Sequence, residues 1–197
     1  MQDTNGQLVP EVAGSQPRFL SQYVHDLGKP GDADCGRGVN ETLEVIAALE
    51  SAGIDCCVVG TKALVYYGAR RVPLNWDICV PTELFDQAIA LFTSAPLNEK
   101  YEPWHRIMPE AKMLMHTYPR FTLKGVNFFF IILPSFECLL SPKPENCERS
   151  ASGIPYPKLE LFAQSLMDLQ QYADLDDLVD GMDLDQAWGE AHLQLDK

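Results

Sequence analysis

Apolar positions along this chain switch between helical and strand spacing in a fixed order. From Asn40 onward, Leu43, Ile46, Ala47 and Leu49 recur at helical spacing. Asn40 is placed as an N-cap, Glu41 falls in the first turn and Gly53 supplies the stop. Cys56-Cys57-Val58-Val59 is a short apolar, β-branched run closed by Gly60, the pattern of a buried strand that ends in a turn. A helix is expected at once, with Thr61 as its cap, Ala63, Leu64 and Tyr67 as its apolar face, and Gly68 as its end. A basic loop, Ala69 to Asn75, leads into Trp76-Asp77-Ile78-Cys79-Val80. Alternation there sets Asp77 and Cys79 on the face opposite Trp76, Ile78 and Val80.

Pro81-Thr82 opens a second helix in which Leu84, Phe85, Ala88, Ile89, Leu91 and Phe92 keep helical spacing until Pro96. Residues 97–119 keep no clean period, and read as gap-filling aromatic and methionine packing or as a lid beside a pocket. Arg120 to Lys124 alternates as a half-exposed strand, Gly125 turns the chain, and Val126 to Leu133 is apolar on both faces, as a central strand is. Pro142, Pro144, Pro155 and Pro157 mark a connector, beyond which leucines at helical spacing run toward the C-terminus. The chain thus divides into an irregular arm (1–38), an α/β core (39–140), a Pro-rich connector (141–157) and a C-terminal helical segment (158–197). The expected fold class is α/β (α+β). Val58, Asp77 and Phe129 belong on separate strands of one mixed sheet, with the Asn40 and Thr82 helices on one side.

The order strand, Gly, short helix, loop, acid-bearing strand resembles the core of the DNA polymerase beta-like nucleotidyltransferase superfamily. In that superfamily a strand ends in Gly-Gly or Gly-Ser, and the strand after the helix carries two carboxylates one residue apart. Gly60-Thr61 stands at the Gly-Ser position and Asn75-Trp76-Asp77 at the paired-carboxylate position, with Asn75 in place of the first acid. The wording around that motif, with Tyr118-Pro119-Arg120-Phe121 and Asp180-Gly181-Met182-Asp183-Leu184, resembles a group of fungal nucleotidyltransferase-like proteins, over roughly residues 39–195.

The resemblance implies chemistry by two divalent metals held by three carboxylates, which stabilise the attacking and departing oxygens of an in-line displacement. It also places the third acid on a later strand, and Val126 to Leu133 contains neither Asp nor Glu. Glu83, Asp86, Glu110 and Glu137 follow no alternation that would set them beside Asp77. One carboxylate does not hold two hard cations that dehydrate reluctantly. No cofactor is therefore expected, and Mg²⁺ only if transfer is retained.

The candidate catalytic residue is Asp77. Gly60, Thr61, Lys62, Arg70, Arg71 and Asn75 are the candidate substrate-binding residues, since cations beside a helix start attract an anion. The competing reading pairs Arg70 or Arg71 with Asp77. His25, His105, His116 and His192 have no metal-site spacing.

Composition narrows the partners. At 46% hydrophobic and 22% charged residues, the chain is neither disordered nor membrane-spanning in character, and its length suits one domain with a core. A net charge of -13 opposes a nucleic-acid partner, because phosphate binding draws on Lys and Arg. Seven aspartates between Asp168 and Asp185 place much of that charge on the C-terminal segment, as a solvated helical face or an acidic interaction tail. The six cysteines have no C-x-x-C pair and read as buried free thiols. With a polar opening that has no secretory character, they suggest a cytoplasmic protein.

Three functions fit these residues. In the first, a nucleotidyltransferase-type scaffold has lost two-metal transfer and binds or transforms a small molecule. The second is an active nucleotidyltransferase on a small substrate, and the third a non-catalytic subunit that meets a protein partner through its C-terminal helices.

Overall fold

A computed structural model of the chain describes residues 38–104 and 117–194. The irregular arm expected over 1–38 lies outside them but for its last residue, as does the middle of the stretch considered as a lid.

The first described helix, α1 (Val39–Ser51), begins two residues earlier than expected, with Gly38 rather than Asn40 at the N-cap position and Asn40 exposed in the first turn. Its buried stripe is Thr42, Val45, Ile46 and Leu49; Ala47 faces out, so the helix is rotated relative to the apolar pattern read from sequence. Strand β1 (Cys57–Val59) follows, then α2 (Gly60–Tyr66) and β2 (Trp76–Val80). A 3-10 turn at Thr82–Leu84 opens the expected second helix, whose α-helical part is α3 (Phe85–Thr93).

The stretch after it forms a single helical turn, α4 (Leu97–Lys100), and a short strand β3 (Tyr101–Pro103). Beyond the undescribed residues come β4 (Arg120–Leu123), β5 (Phe129–Pro134) and α5 (Ser135–Cys138). The Pro-rich stretch is more than a loop: β6 (Cys147–Arg149) and β7 (Pro155–Pro157) pair antiparallel within it. Three helices close the described chain, α6 (Leu159–Asp168), α7 (Tyr172–Met182) and α8 (Gln186–His192).

The main sheet is mixed, with strand order β1-β2-β5-β4-β3. Only the β2–β5 pair is parallel. Val58, Asp77 and Phe129 therefore lie on three different strands, as the α/β reading expected. Strand β4 departs from that reading. Pairing with β5 on one side and β3 on the other makes it an interior strand, and Arg120, Phe121 and Thr122 are buried.

Alternation gives each strand two faces. Val58, Trp76, Ile78, Val80, Phe121, Phe130 and Ile132 meet Val45, Ile46 and Leu49 of α1, Leu64 of α2 and Phe92 of α3 in one large cluster, so α1 and α3 share a side. Phe92 is its hub, with ring centroids 5.1 Å from Phe130 and 5.5 Å from both Tyr101 and Phe121. The opposite face is a smaller cluster of Cys57, Val59, Cys79, Ile131, Leu133 and Cys138. Thr82 joins the ends of the parallel pair: its backbone N–H donates to Ser135 Oγ at 3.1 Å and its hydroxyl accepts from the Phe136 N–H at 3.1 Å. Among the described residues, no helix is long and apolar enough to cross a membrane.

Candidate functional site

The start of α2 is built around the carboxylate of Asp77. Val59 and Asp77 are register partners on antiparallel strands, so the residue after Val59 leaves the sheet beside the Asp77 side chain. That residue is Gly60, at φ +63°, a conformation that L side chains rarely adopt. A Cβ built on it would lie 2.5 Å from Asp77 Oδ2. Glycine is thus needed twice at this position, for the backbone turn and for the space the carboxylate takes. The helix begins at Gly60 itself with Val59 as N-cap, and no side chain caps it, so the capping role expected of Thr61 is not observed. The first turn of a helix leaves backbone N–H groups without intrahelical partners, a setting that favours a nearby negative charge.

The residues across the sheet from Asp77 decide what it can hold. Ile131 is its partner on the parallel strand β5, and Arg120 of β4 is in register with Ile131. One row across the sheet therefore reads Val59, Asp77, Ile131, Arg120. The position beside Asp77 where a further acid would complete a metal site is an isoleucine, and Asn75 precedes β2 in a bend. Among the described residues, no group of three His, Cys, Asp or Glu side chains could hold a metal ion. The donor set of the described residues does not fit a two-metal centre.

The candidate cations are distributed differently from the sequence expectation. Lys62 Nζ lies 3.9 Å from the centroid of the Trp76 ring, a cation–π contact on the other side of β2 from Asp77. Arg71 does not pair with Asp77. Its guanidinium forms ion pairs with Asp177 and, at 3.6 Å, with Asp174, both on α7. Arg70 is exposed in the loop. Gly60 and Asp77 are two candidate residues that meet in direct contact.

Arg120 is the residue that sequence reasoning did not include. Only 5% exposed, it is a buried cation in the same row as Asp77. The parity of strand 120–123 was readable, but the strand order that sets Arg120 two strands from Asp77 was not.

The C-terminal segment supports the site loop from behind. Gly68, at φ +90°, ends α2, and a Cβ there would lie 2.5 Å from the Gly181 carbonyl oxygen. A Cβ on Gly181 would in turn lie 2.7 Å from the Ala69 backbone nitrogen. Two glycines facing one another let α7 touch the backbone at the exit of α2. On the other flank, the Tyr67 hydroxyl donates to the Pro157 carbonyl at 2.6 Å and Tyr66 donates to Glu148 at 3.0 Å, tying α2 to the β6–β7 hairpin.

Next to Asp77 on its own face stands a row of thiols. Cys57 and Cys79 are register partners, and Cys138 joins them. The Cys138 thiol is held well above its ordinary range, first by hydrogen bonding to Cys79, then by burial and by the negative charge of nearby residues including Asp77.

No family model matches the chain. No curated protein matches it either. Among solved structures it is similar to the antibiotic-resistance factor ANT(2'')-Ia, at 12% identity and a TM-score of 0.46, over 78% of this chain and 87% of that one. A candidate nucleotidyltransferase from Thermotoga maritima gives 15% identity and a TM-score of 0.45, over 74% and 92% of the two chains. An antigenic nucleotidyltransferase-like protein from Paracoccidioides brasiliensis gives 10% and 0.45, over 73% and 77%.

Proposed function

We propose that this chain is a nucleotidyltransferase-type scaffold that has lost two-metal transfer and uses the sheet face around Asp77 to bind a small molecule. One observation carries the reading: Gly60 opens α2 directly against the Asp77 carboxylate, while Ile131 occupies the place beside that carboxylate on the parallel strand. The strand, Gly and helix geometry that presents a substrate is kept. The anionic charge that two hard cations demand is not, since Asn75 supplies a neutral oxygen at best. Thr61, half-buried in the first turn, and the exposed Arg70 are the polar groups left to meet a ligand, with Asp77 as hydrogen-bond acceptor or base.

Thermal-shift screening of the full chain against polar small molecules and nucleotides, with and without Mg²⁺, tests this reading. Stabilisation that does not depend on the metal and is lost in Asp77→Asn is expected. A hit that appears only with Mg²⁺ would favour the active nucleotidyltransferase instead. A third reading, a protein partner on the C-terminal helices, has the exposed Tyr172 and Met182 of α7 in its favour. Retention of a stoichiometric partner by wild type but not by Tyr172→Ala would support it.

A further inference from the structure

Four of the six cysteines converge, although they are far apart in sequence. Cys57 and Cys79 face each other across β1 and β2, Cys138 follows β5, and Cys147 opens β6. Cys57, Cys79 and Cys138 share one buried cluster, and Cys147 packs against it. All are free, and Cys147 alone of the four is not fully buried. It lines a small open depression together with Glu50, Asp55, Cys56 and Arg149, of which Glu50 and Arg149 are ion-paired. The interior of the cluster is closed to solvent and the Cys147 end is open.

We propose that Cys147 and Cys57 form an oxidisable dithiol, in which Cys147 meets a hydroperoxide at the pocket and Cys57 resolves the product as a disulfide. Geometry supplies each part. Cys147 is partly exposed and packs against the cluster that contains Cys57. The Cys147 thiol is also lowered from its ordinary range, first by its interaction with Cys57, against burial and the charges of Cys79 and Asp55, with Arg149 a smaller lowering influence. Cys57 is raised, first by the hydrogen bonds it shares with Cys147 and Cys79 and then by burial. Cys79 is lowered as well but is closed to solvent, so Cys147 is the thiol of this group that an oxidant in the pocket can reach.

The chemistry balances with hydrogen peroxide as oxidant. The Cys147 thiolate attacks one peroxide oxygen, the O–O bond breaks, hydroxide leaves and Cys147 becomes a sulfenic acid. The Cys57 sulfur then attacks the Cys147 sulfur, an S–S bond forms, and the Cys57 proton leaves with the displaced hydroxide as water. Two thiols lose two electrons and peroxide gains them.

Peptide mapping of the full chain tests this, after brief exposure to hydrogen peroxide and alkylation of the remaining thiols. The expected product is a Cys57–Cys147 cross-link that dithiothreitol reverses and that Cys56→Ser leaves in place. In Cys147→Ser the cross-link is absent, and in Cys57→Ser a dimedone adduct accumulates on Cys147. Should buried Cys57→Ser fail to fold, wild type and Cys147→Ser decide alone. The proposal is overturned if Cys147 stays alkylatable while Cys35 or another thiol oxidises, if the bond formed is Cys79–Cys138, or if folded and urea-unfolded protein oxidise at the same rate.

Discussion

One face of the five-stranded sheet carries Val58, Trp76, Ile78, Val80, Phe121, Phe130 and Ile132 under three helices. The other carries Cys57, Val59, Asp77, Cys79, Ile131 and Leu133 with the short α5 beside it. The same strands build both, one residue out of phase. The first face is filled by large rings that touch one another and has the redundancy of a core. The second has small thiols, two charged side chains in one row and thin cover, as a surface shaped for chemistry does. Burial alone does not separate them, since Cys79 and Ile131 are as buried as Phe130. What separates them is the size of the side chains and the presence of ionisable groups.

The largest expected effect lies on the first face. Phe130→Ala should cost ~3–5 kcal/mol, whereas Ile131→Val next to it should cost ~0.5–1.5 kcal/mol. Urea denaturation of both variants measures the contrast, and equal losses would break it.

Gly60→Ala comes second. It forces a side chain into a left-handed conformation and against Asp77, at ~1–3 kcal/mol. Combining it with Asp77→Ala sharpens the point: relief of the contact should make the double variant more stable than the sum of the single losses predicts. Strict additivity would mean that Gly60 and Asp77 are not coupled.

A pH effect of similar size belongs to the aromatic side. Burial, and then the charges of Glu44 and Glu41, push the Tyr101 hydroxyl up from 10.0 to about 12. Folding favours the neutral phenol, so this stability is complete below the unfolded value. It is lost as pH rises through the folded one, about 3 kcal/mol between these limits. Tyr101→Phe should therefore unfold with a flatter alkaline limb than wild type in denaturation series across that window, and identical limbs would remove Tyr101 from the account.

Arg71→Ala should change least. Its guanidinium is 40% exposed and its ion pairs with Asp174 and Asp177 are screened, so ~0.2–1 kcal/mol is expected, shrinking as salt is added. A loss that salt leaves unchanged would point to packing rather than charge.

Legibility in the sequence also divided along the two faces. The alternation Trp76-Asp77-Ile78-Cys79-Val80 and the run ending at Gly60 revealed β1, β2 and the acid-bearing face, because period and turn chemistry are local. Strand order is not local. The row Val59, Asp77, Ile131, Arg120 and the meeting of four thiols depend on which strands pair, so neither Arg120 nor the thiol cluster could be found from spacing. Caps were misread for a related reason. Asn40 and Thr61 are good capping residues, yet Gly38 and Val59 hold the N-cap positions, because α2 begins where the chain clears Asp77. Arg71 was assigned to the cleft by proximity in sequence and is held by α7, whose approach depends on Gly68 and Gly181.

The central claim is that the Asp77 face keeps a nucleotidyltransferase-type frame without the charge to hold its metals. Calorimetric titration of ATP with Mn²⁺ into the full chain, for wild type, Asn75→Asp and Asp77→Ala, tests it most directly. The account predicts no metal-dependent binding to wild type or Asp77→Ala, and a gain in metal affinity for Asn75→Asp, which returns a second carboxylate to the site. Micromolar, Mn²⁺-dependent binding to wild type that disappears in Asp77→Ala would contradict it.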